Sequence, residues 1–145
     1  ASRPGGAGPR AGAPSARSLM LVDTDVLIWY MRGHLGAARA LDNLGDFAIS
    51  AVTYIELVQG LRTRRELQAL RATLRALNAG ILPVDPIISE KAMFYVEQHF
   101  HSHSLRLADA LIGATAVTHG LPLLTANTKH YKVIADLALK RFRPD

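Results

Sequence analysis

Short apolar runs alternate with longer amphipathic segments along this chain, and that alternation restricts the fold more than any other feature. Strand-like runs are read at 19–23, 46–50, 81–84, 122–125 and 138–142. Helices are read at 24–31, 35–44, 52–61, 63–78, 86–100 and 106–119, with a turn or short helix over 127–136. Strands separated by helices pair in parallel, and the crossover helices cover both faces of the sheet. Local signals support the order. Leu67, Leu70, Leu74 and Leu77 form one stripe of the 63–78 helix, opposite Arg64, Arg71 and Arg75. Asn78-Ala79-Gly80 is read as its stop, Asp85-Pro86 as the start of the next helix, and Gly120 as the end of the helix from 106.

The length of 145 residues suits one domain with one core. No cysteine is present, which excludes disulfides and thiolate metal sites and fits a reducing, cytoplasmic setting. No apolar run is long enough to span a bilayer, and the N-terminus shows no apolar signal-peptide core. Residues 1–18 contain Gly, Pro, Ala, Ser and Arg, with no acid and no large apolar side chain before Ser18. Such a stretch cannot bury enough surface to offset its ordering entropy. It is expected to be a disordered, non-native tail, with the native protein starting near Met20 and a single domain over 19–145. Three of the 17 basic residues (Arg3, Arg10, Arg17) lie in that tail, leaving 14 against 12 acids. A net charge near +2 does not by itself argue for nucleic acid.

In parallel sheets, ligands bind outside the carboxyl ends of the strands. Three polar residues fall there: Asp23 after Leu19–Val22, Glu56 after Phe47–Ser50, and Asn127 after Leu121–Thr125. Asp109 is the only acid between Leu105 and Val117. Carboxylates converging at one sheet edge repel unless a cation lies between them, which points to Mg²⁺ or Mn²⁺ and phosphodiester chemistry. Asp25 adds a further charge two residues from Asp23, suited to holding water around such an ion.

Each residue also has a purely structural reading. Asp23 suits a helix N-cap, a job Thr24 could share. Thr53-Tyr-Ile-Glu56 fits a capping box. The helix from Leu107 to Val117 is apolar or small on every side, which predicts burial all round, and Arg106 at i, i+3 could pair with Asp109. Thr125 and Asn127 suit a strand end and a turn, or else they hold a metal-bound water or orient a carboxylate. His99, His101 and His103 invite a zinc reading. On a helix only His99 and His103 would share a face, and no acid completes a known motif, so a solvated helix end is the reading adopted. His119 and His130 are read as surface residues. Arg62, Arg64, Arg65, Arg71 and Arg75, with Lys129, Lys132, Lys140, Arg141 and Arg143, are solvated faces or a phosphate path; few aromatics interleave for base stacking.

Four stretches in order carry a resemblance: Leu21-Val-Asp-Thr-Asp-Val-Leu-Ile28, Ile49-Ser-Ala-Val-Thr-Tyr-Ile-Glu-Leu57, Leu107-Ala-Asp-Ala-Leu-Ile-Gly-Ala-Thr-Ala116 and Leu124-Thr-Ala-Asn-Thr-Lys-His-Tyr131. Together they resemble the PIN-domain ribonucleases, and within them the VapC-type toxins of bacterial toxin–antitoxin pairs. The resemblance covers essentially everything from Met20 onward. It implies a three-layer α/β/α sandwich on a mostly parallel sheet of four or five strands. It implies Mg²⁺- or Mn²⁺-dependent endonucleolytic cleavage of RNA by an activated water, with the 3′-oxygen leaving. Asp23, Glu56 and Asp109 would hold the metal directly or through water, and Thr125 and Asn127 would position the water or the surrounding shell. The fourth family position is often Asp; here Asn127 brings no charge, which weakens a second metal site. A homodimer is implied, as is a VapB-like antitoxin that covers the acidic site, often with an Arg, and supplies DNA binding.

Two rival enzymes or modules share part of the pattern. Asp23-Thr-Asp25 resembles the Asp-x-Asp motif of haloacid-dehalogenase-type phosphatases, with Asp23 as nucleophile. Leu27 stands where that family prefers Thr or Val, and Asp109 lies inside a helix rather than after a strand. A receiver-like module could use Asp85 with Thr125 and Lys129, but Pro86 follows Asp85 directly. A catalytically silent PIN-like binding module is the non-enzyme alternative, and metal titration separates it from the nuclease.

Overall fold

A computed structural model describes residues 10–11, 19–102 and 104–144. The strands are Arg10–Ala11 (β1), Leu21–Val22 (β2), Phe47–Ser50 (β3), Ala79–Leu82 (β4), Leu123–Thr125 (β5) and Leu139–Arg141 (β6). The helices are Thr24–Met31 (α1), Leu35–Leu44 (α2), Ala51–Gln59 (α3), Arg64–Ala76 (α4), Pro86–Gln98 (α5), Leu107–His119 (α6) and Thr128–Tyr131 (α7). The sheet order is β1-β4-β3-β2-β5-β6 and every described pairing is parallel.

Strand alternation divides the core into two layers. Leu21, Ala48 and Leu123 face one side, with Ile88, Ala92, Tyr95, Ile112 and Tyr131 from α5, α6 and α7. Val22, Phe47, Ile49 and Leu124 face the other, with Val26, Leu41, Leu57, Leu70 and Leu74 from α1 to α4. This is the expected three-layer sandwich. Residues 19–144 supply five of its strands.

Two sequence expectations shift. Asn78 adopts φ +60 and its amide donates to Asp46 Oδ1, so the chain reverses at one residue. Ala79 and Gly80 therefore open β4, opposite Phe47 and Ala48, rather than ending α4. The strand read at 81–84 begins two residues earlier. Residues 10–11, expected to lie in a disordered tail, pair with Gly80 and Ile81 along the free edge of β4. Such pairing uses main-chain groups only and needs no apolar side chain. The rest of 1–18 lies outside the described residues.

Helix ends follow the local chemistry. Thr63 and Glu66 form a reciprocal capping box on α4. Asp85 Oδ1 accepts from the Ile88 N–H at 2.8 Å, with Pro86 in the first turn of α5. Gly120 closes α6 at φ +64. Because α5 ends at Gln98, the i, i+4 premise for His99 and His103 is gone; His101 lies in the following turn and His103 outside the described residues.

The chain builds outward from β2 to β3 and β4, then returns to β5 and β6 on the other side of β2. The order therefore reverses between β2 and β5. That reversal opens a crevice at the carboxyl ends of these two strands.

Candidate active site

Asp23 leaves β2 at the crevice. It is 6% exposed. As the α1 N-cap, its Oδ1 accepts from the Thr24 N–H at 2.8 Å, while Oδ2 accepts from the Thr125 hydroxyl at 2.8 Å. The capping reading and the site reading thus describe the same side chain. Burial, followed by the Asp25 charge, pushes the Asp23 carboxyl up from 3.8 to about 7, against the pull of its hydrogen bonds.

Asp25 is central to the crevice. Its Oδ2 accepts from the Ala126 N–H and the Asn127 amide at 3.0 Å each, with the Thr125 hydroxyl at 3.4 Å. Its Oδ1 is buried without a hydrogen-bond partner. Burial raises its carboxyl too, opposed by the surrounding N–H groups. Asn127 also donates its backbone N–H to Thr125 Oγ1 at 3.0 Å. Thr125 and Asn127 thus each orient a carboxylate, Asp23 and Asp25 respectively.

Glu56 does not cap α3. Ser50 does, accepting from the Val52 N–H at 3.0 Å, so the capping-box reading of Thr53 and Glu56 fails. Glu56 Oε1 is 2.6 Å from the Thr24 hydroxyl, which lies 3.0 Å from Thr53 Oγ1. One hydroxyl has one hydrogen, and the shorter contact to a carboxylate takes it. Thr24 therefore ties Asp23, through its N–H, to Glu56, through its hydroxyl.

Asp109 reaches the same cleft from the first turn of α6, for a reason other than burial all round. Leu107 is 76% exposed; the Asp109 side chain keeps 16% exposure. Its Oδ2 lies 3.4 Å from the Arg106 backbone N–H and 3.8 Å from His130 Nδ1. The alternative reading, an ion pair with the Arg106 guanidinium, is not what the described residues show. That group is exposed and lines the cleft with His130. His130, read as a mere surface residue, is half exposed but beside an acid.

The cleft is about 280 Å³ and collects Asp23, Asp25, Glu56, Asp109 and Asn127. Among the described residues, no three acid or histidine side chains stand at direct-ligation distance of a common point. Mg²⁺ keeps several waters and binds one or two carboxylates directly, so a hydrated ion suits this spacing better than a bare one. The buried, unpaired Asp25 Oδ1 and the raised Asp23 carboxyl are the marks of acids lacking a countercharge. Sequence reasoning missed Tyr131. It is 1% exposed, and its hydroxyl lies close to the Asp23 carboxyl without forming a well-aligned hydrogen bond. Burial and the charges of Asp23 and Asp109 push its phenol upward. The signal was present only as an aromatic inside α7, with nothing local to mark what it faces.

The PIN-domain family model matches residues 20–136. Ribonuclease VapC10 of Mycobacterium tuberculosis is 36% identical over 125 residues, covering 82% of this chain and 90% of the relative. Ribonuclease VapC1 of Methanocaldococcus jannaschii is 31% identical, covering 85% of this chain and 86% of that protein. Among solved structures, a toxin–antitoxin complex from Klebsiella pneumoniae superposes with a TM-score of 0.70 at 28% identity, covering 87% of this chain and 99% of that one. The chain belongs to the PIN-domain family. The phosphatase reading is not favoured, because Asp109 sits on a helix; nor is the receiver-like reading, because Asp85 caps α5 and is not among the residues lining the acidic cleft.

Proposed function

We propose that this protein is a VapC-type toxin, an endoribonuclease that hydrolyses RNA phosphodiester bonds with Mg²⁺ or Mn²⁺ at the acidic cleft. The observation that carries this reading is the meeting of Asp23, Asp25, Glu56 and Asp109 in one cleft at the strand-order reversal. Asp23, Glu56 and Asp109 are assigned as the metal-holding residues, in part through water. A divalent ion there would supply an acidified water and positive charge for the phosphate. Thr24 fixes Asp23 and Glu56 relative to each other. Thr125 fixes Asp23, and Asn127 fixes Asp25. The exposed Arg106, which lines the cleft, is a candidate to meet a phosphate oxygen.

A VapB-like antitoxin is the proposed partner. Ile28 lies exposed on α1 in the cleft lining, and a silencing peptide would cover it. A second copy of the chain is the proposed occupant of the apolar α5–α6 face around Met93, Phe94 and Leu107. No helix among the described residues is long and apolar enough to cross a membrane, which agrees with action in the cytoplasm on RNA.

The test is cleavage of total and transfer RNA by antitoxin-free protein, with Mn²⁺ or Mg²⁺ against EDTA and Asp109→Asn as control. Metal-dependent fragments with 5′-phosphate ends, absent in the control, are expected. No cleavage by folded protein under either metal would overturn the reading in favour of a silent module.

A further inference from the structure

A second feature of the molecule is a groove of about 450 Å³ between α2 and β6. Arg39, Lys140, Arg141 and Arg143 line it beside Asn43, and no acid does. All four cations are exposed. None has an ion-pair partner among the described residues. Four unpaired cations side by side repel, and the arrangement is relieved by a polyanion.

We propose that this groove holds the phosphate backbone of the RNA flanking the bond to be cut. The inference rests on the ribonuclease reading and adds to it a binding track away from the acids. Strand β5 joins the two regions. Leu124 lines the groove on one face of the sheet, while Thr125, the next residue, turns to the other face and donates to Asp23, so groove and cleft meet over the carboxyl end of β5. Arg141 stands in register with Thr125 on the neighbouring strand, about 4.8 Å away across a parallel pair. RNA leaving the cleft over the end of β5 meets these cations first.

The groove is held in shape. Phe142 is buried and meets the His34 ring edge-on at 6.0 Å; His34 in turn meets Trp29 at 5.1 Å. His34 Nδ1 accepts from the Ala37 N–H at 3.1 Å, so Nε2 carries the hydrogen and donates to the Pro144 carbonyl. Gly36 lies in the groove wall, where a Cβ would stand 2.7 Å from His34 Cε1. A side chain there would have to push a ring held on three sides. Phe142 is the sole aromatic among the lining residues and its ring is covered, so no platform for base stacking exists. Recognition is therefore of phosphates, with little sequence preference.

The experiment compares the parent with an Arg39→Ala/Lys140→Ala/Arg143→Ala variant, all at exposed positions. Cleavage of a long RNA and of a four-nucleotide RNA is followed in Mn²⁺. Binding of the long RNA is titrated against salt in an Asp109→Asn background. For the long RNA, KM is expected to rise about tenfold with kcat unchanged, and the four-nucleotide RNA to be cut at the parent's rate. The log–log salt slope should flatten by about 2, at ~0.7 per lost single-strand phosphate contact. An unchanged slope, or an equal loss on both substrates, would overturn the proposal. So would normal RNA cleavage by a variant that an acidic protein partner no longer silences, because the groove would then be a protein site. Failure of the parent to cut either RNA would refute the ribonuclease reading, and the salt slope would still decide the groove.

Discussion

Replacing the most buried acid of the cleft should stabilise the metal-free protein while abolishing its activity. Asp23 is 6% exposed, and its carboxyl is raised from 3.8 to about 7. The unfolded chain releases this proton near its ordinary value, whereas the folded chain holds it to near neutrality. Between those pH values the folded state binds more protons. Stability is therefore highest at acid pH, falls as pH rises through that window, and levels off above about pH 8. A rise of about three pH units corresponds to about 4 kcal/mol at ~1.4 kcal/mol per unit, an upper bound because the site relaxes. Asp23→Asn removes the charge but keeps the contacts. The amide oxygen can accept from the Thr24 N–H, and the amide NH₂ can donate to Thr125 Oγ1. Thr125 is then free to turn its hydrogen toward Asp25 Oδ2, already 3.4 Å away.

The expected net gain is about 1–3 kcal/mol at pH 8 in EDTA, or about 3–10 °C in Tm for a chain of this size. Scanning calorimetry of parent and variant at pH 5 and pH 8 measures it. The gain should shrink markedly at pH 5, where Asp23 is protonated in the folded parent, and be lost only below about pH 4, where the unfolded chain holds the proton as well. Millimolar Mn²⁺ should raise the parent's Tm at pH 8 by mass action and leave the variant's nearly unmoved. A variant less stable than the parent at pH 8, or a gain equal at both pH values, would refute the argument that an uncompensated charge sits at Asp23.

Four other outcomes follow from individual contacts. Tyr131→Phe removes a buried hydroxyl without a well-aligned hydrogen bond and should leave the metal-free protein as stable or about 1 kcal/mol more so; a loss beyond about 2 kcal/mol in urea unfolding would mean the phenol bonds Asp23 in solution. Asn127→Asp replaces the donor 3.0 Å from Asp25 Oδ2 with a like charge, so metal-free stability should fall by about 1–3 kcal/mol while calorimetric titration shows tighter Mn²⁺ binding. Thr24→Val keeps the shape but removes the 2.6 Å donor to Glu56; a charge-assisted bond of about 1.5–3 kcal/mol predicts a roughly tenfold or greater fall in kcat/KM for RNA. Phe94→Glu with Leu107→Glu places charges on two exposed apolar positions of α5 and α6, and sedimentation should shift from dimer to monomer.

The sequence disclosed the element order because period-two and helical patterns are local, and the sandwich follows from them. Leu21 and Val22, or Leu123 and Leu124, are adjacent residues that serve opposite core layers, as the alternation demands. The strand ends were legible for the same reason, and with them the places of Asp23 and Asn127. Boundaries set by one residue's backbone were not: the positive φ of Asn78 moved β4, and an Asn-Ala-Gly string looks like a longer stop than it is. Asp109 was found by a premise only partly right. The later part of α6 is buried, but its first turn is open, and that opening lets the carboxylate reach the cleft.

The contacts that organise the site join residues far apart in the chain, and no local pattern contains them. Thr24 meets Glu56 across 32 positions, and Asp25 meets Asn127 across 102. The second pair changes the meaning of the residue that looked like a departure. Taken alone, Asn127 is an acid position that has lost its charge. Beside Asp25 it is a donor that neutral amide chemistry supplies and a carboxylate cannot. An acid at both positions would face its partner at about 3 Å, and without a cation or a shared proton between them the pair would cost the fold stability. With Asn127 the loop after β5 is braced by a neutral donor, and on the proposed reading an ion would be held by the other acids. Asn at this position would then separate the folding of the cleft from the loading of a metal.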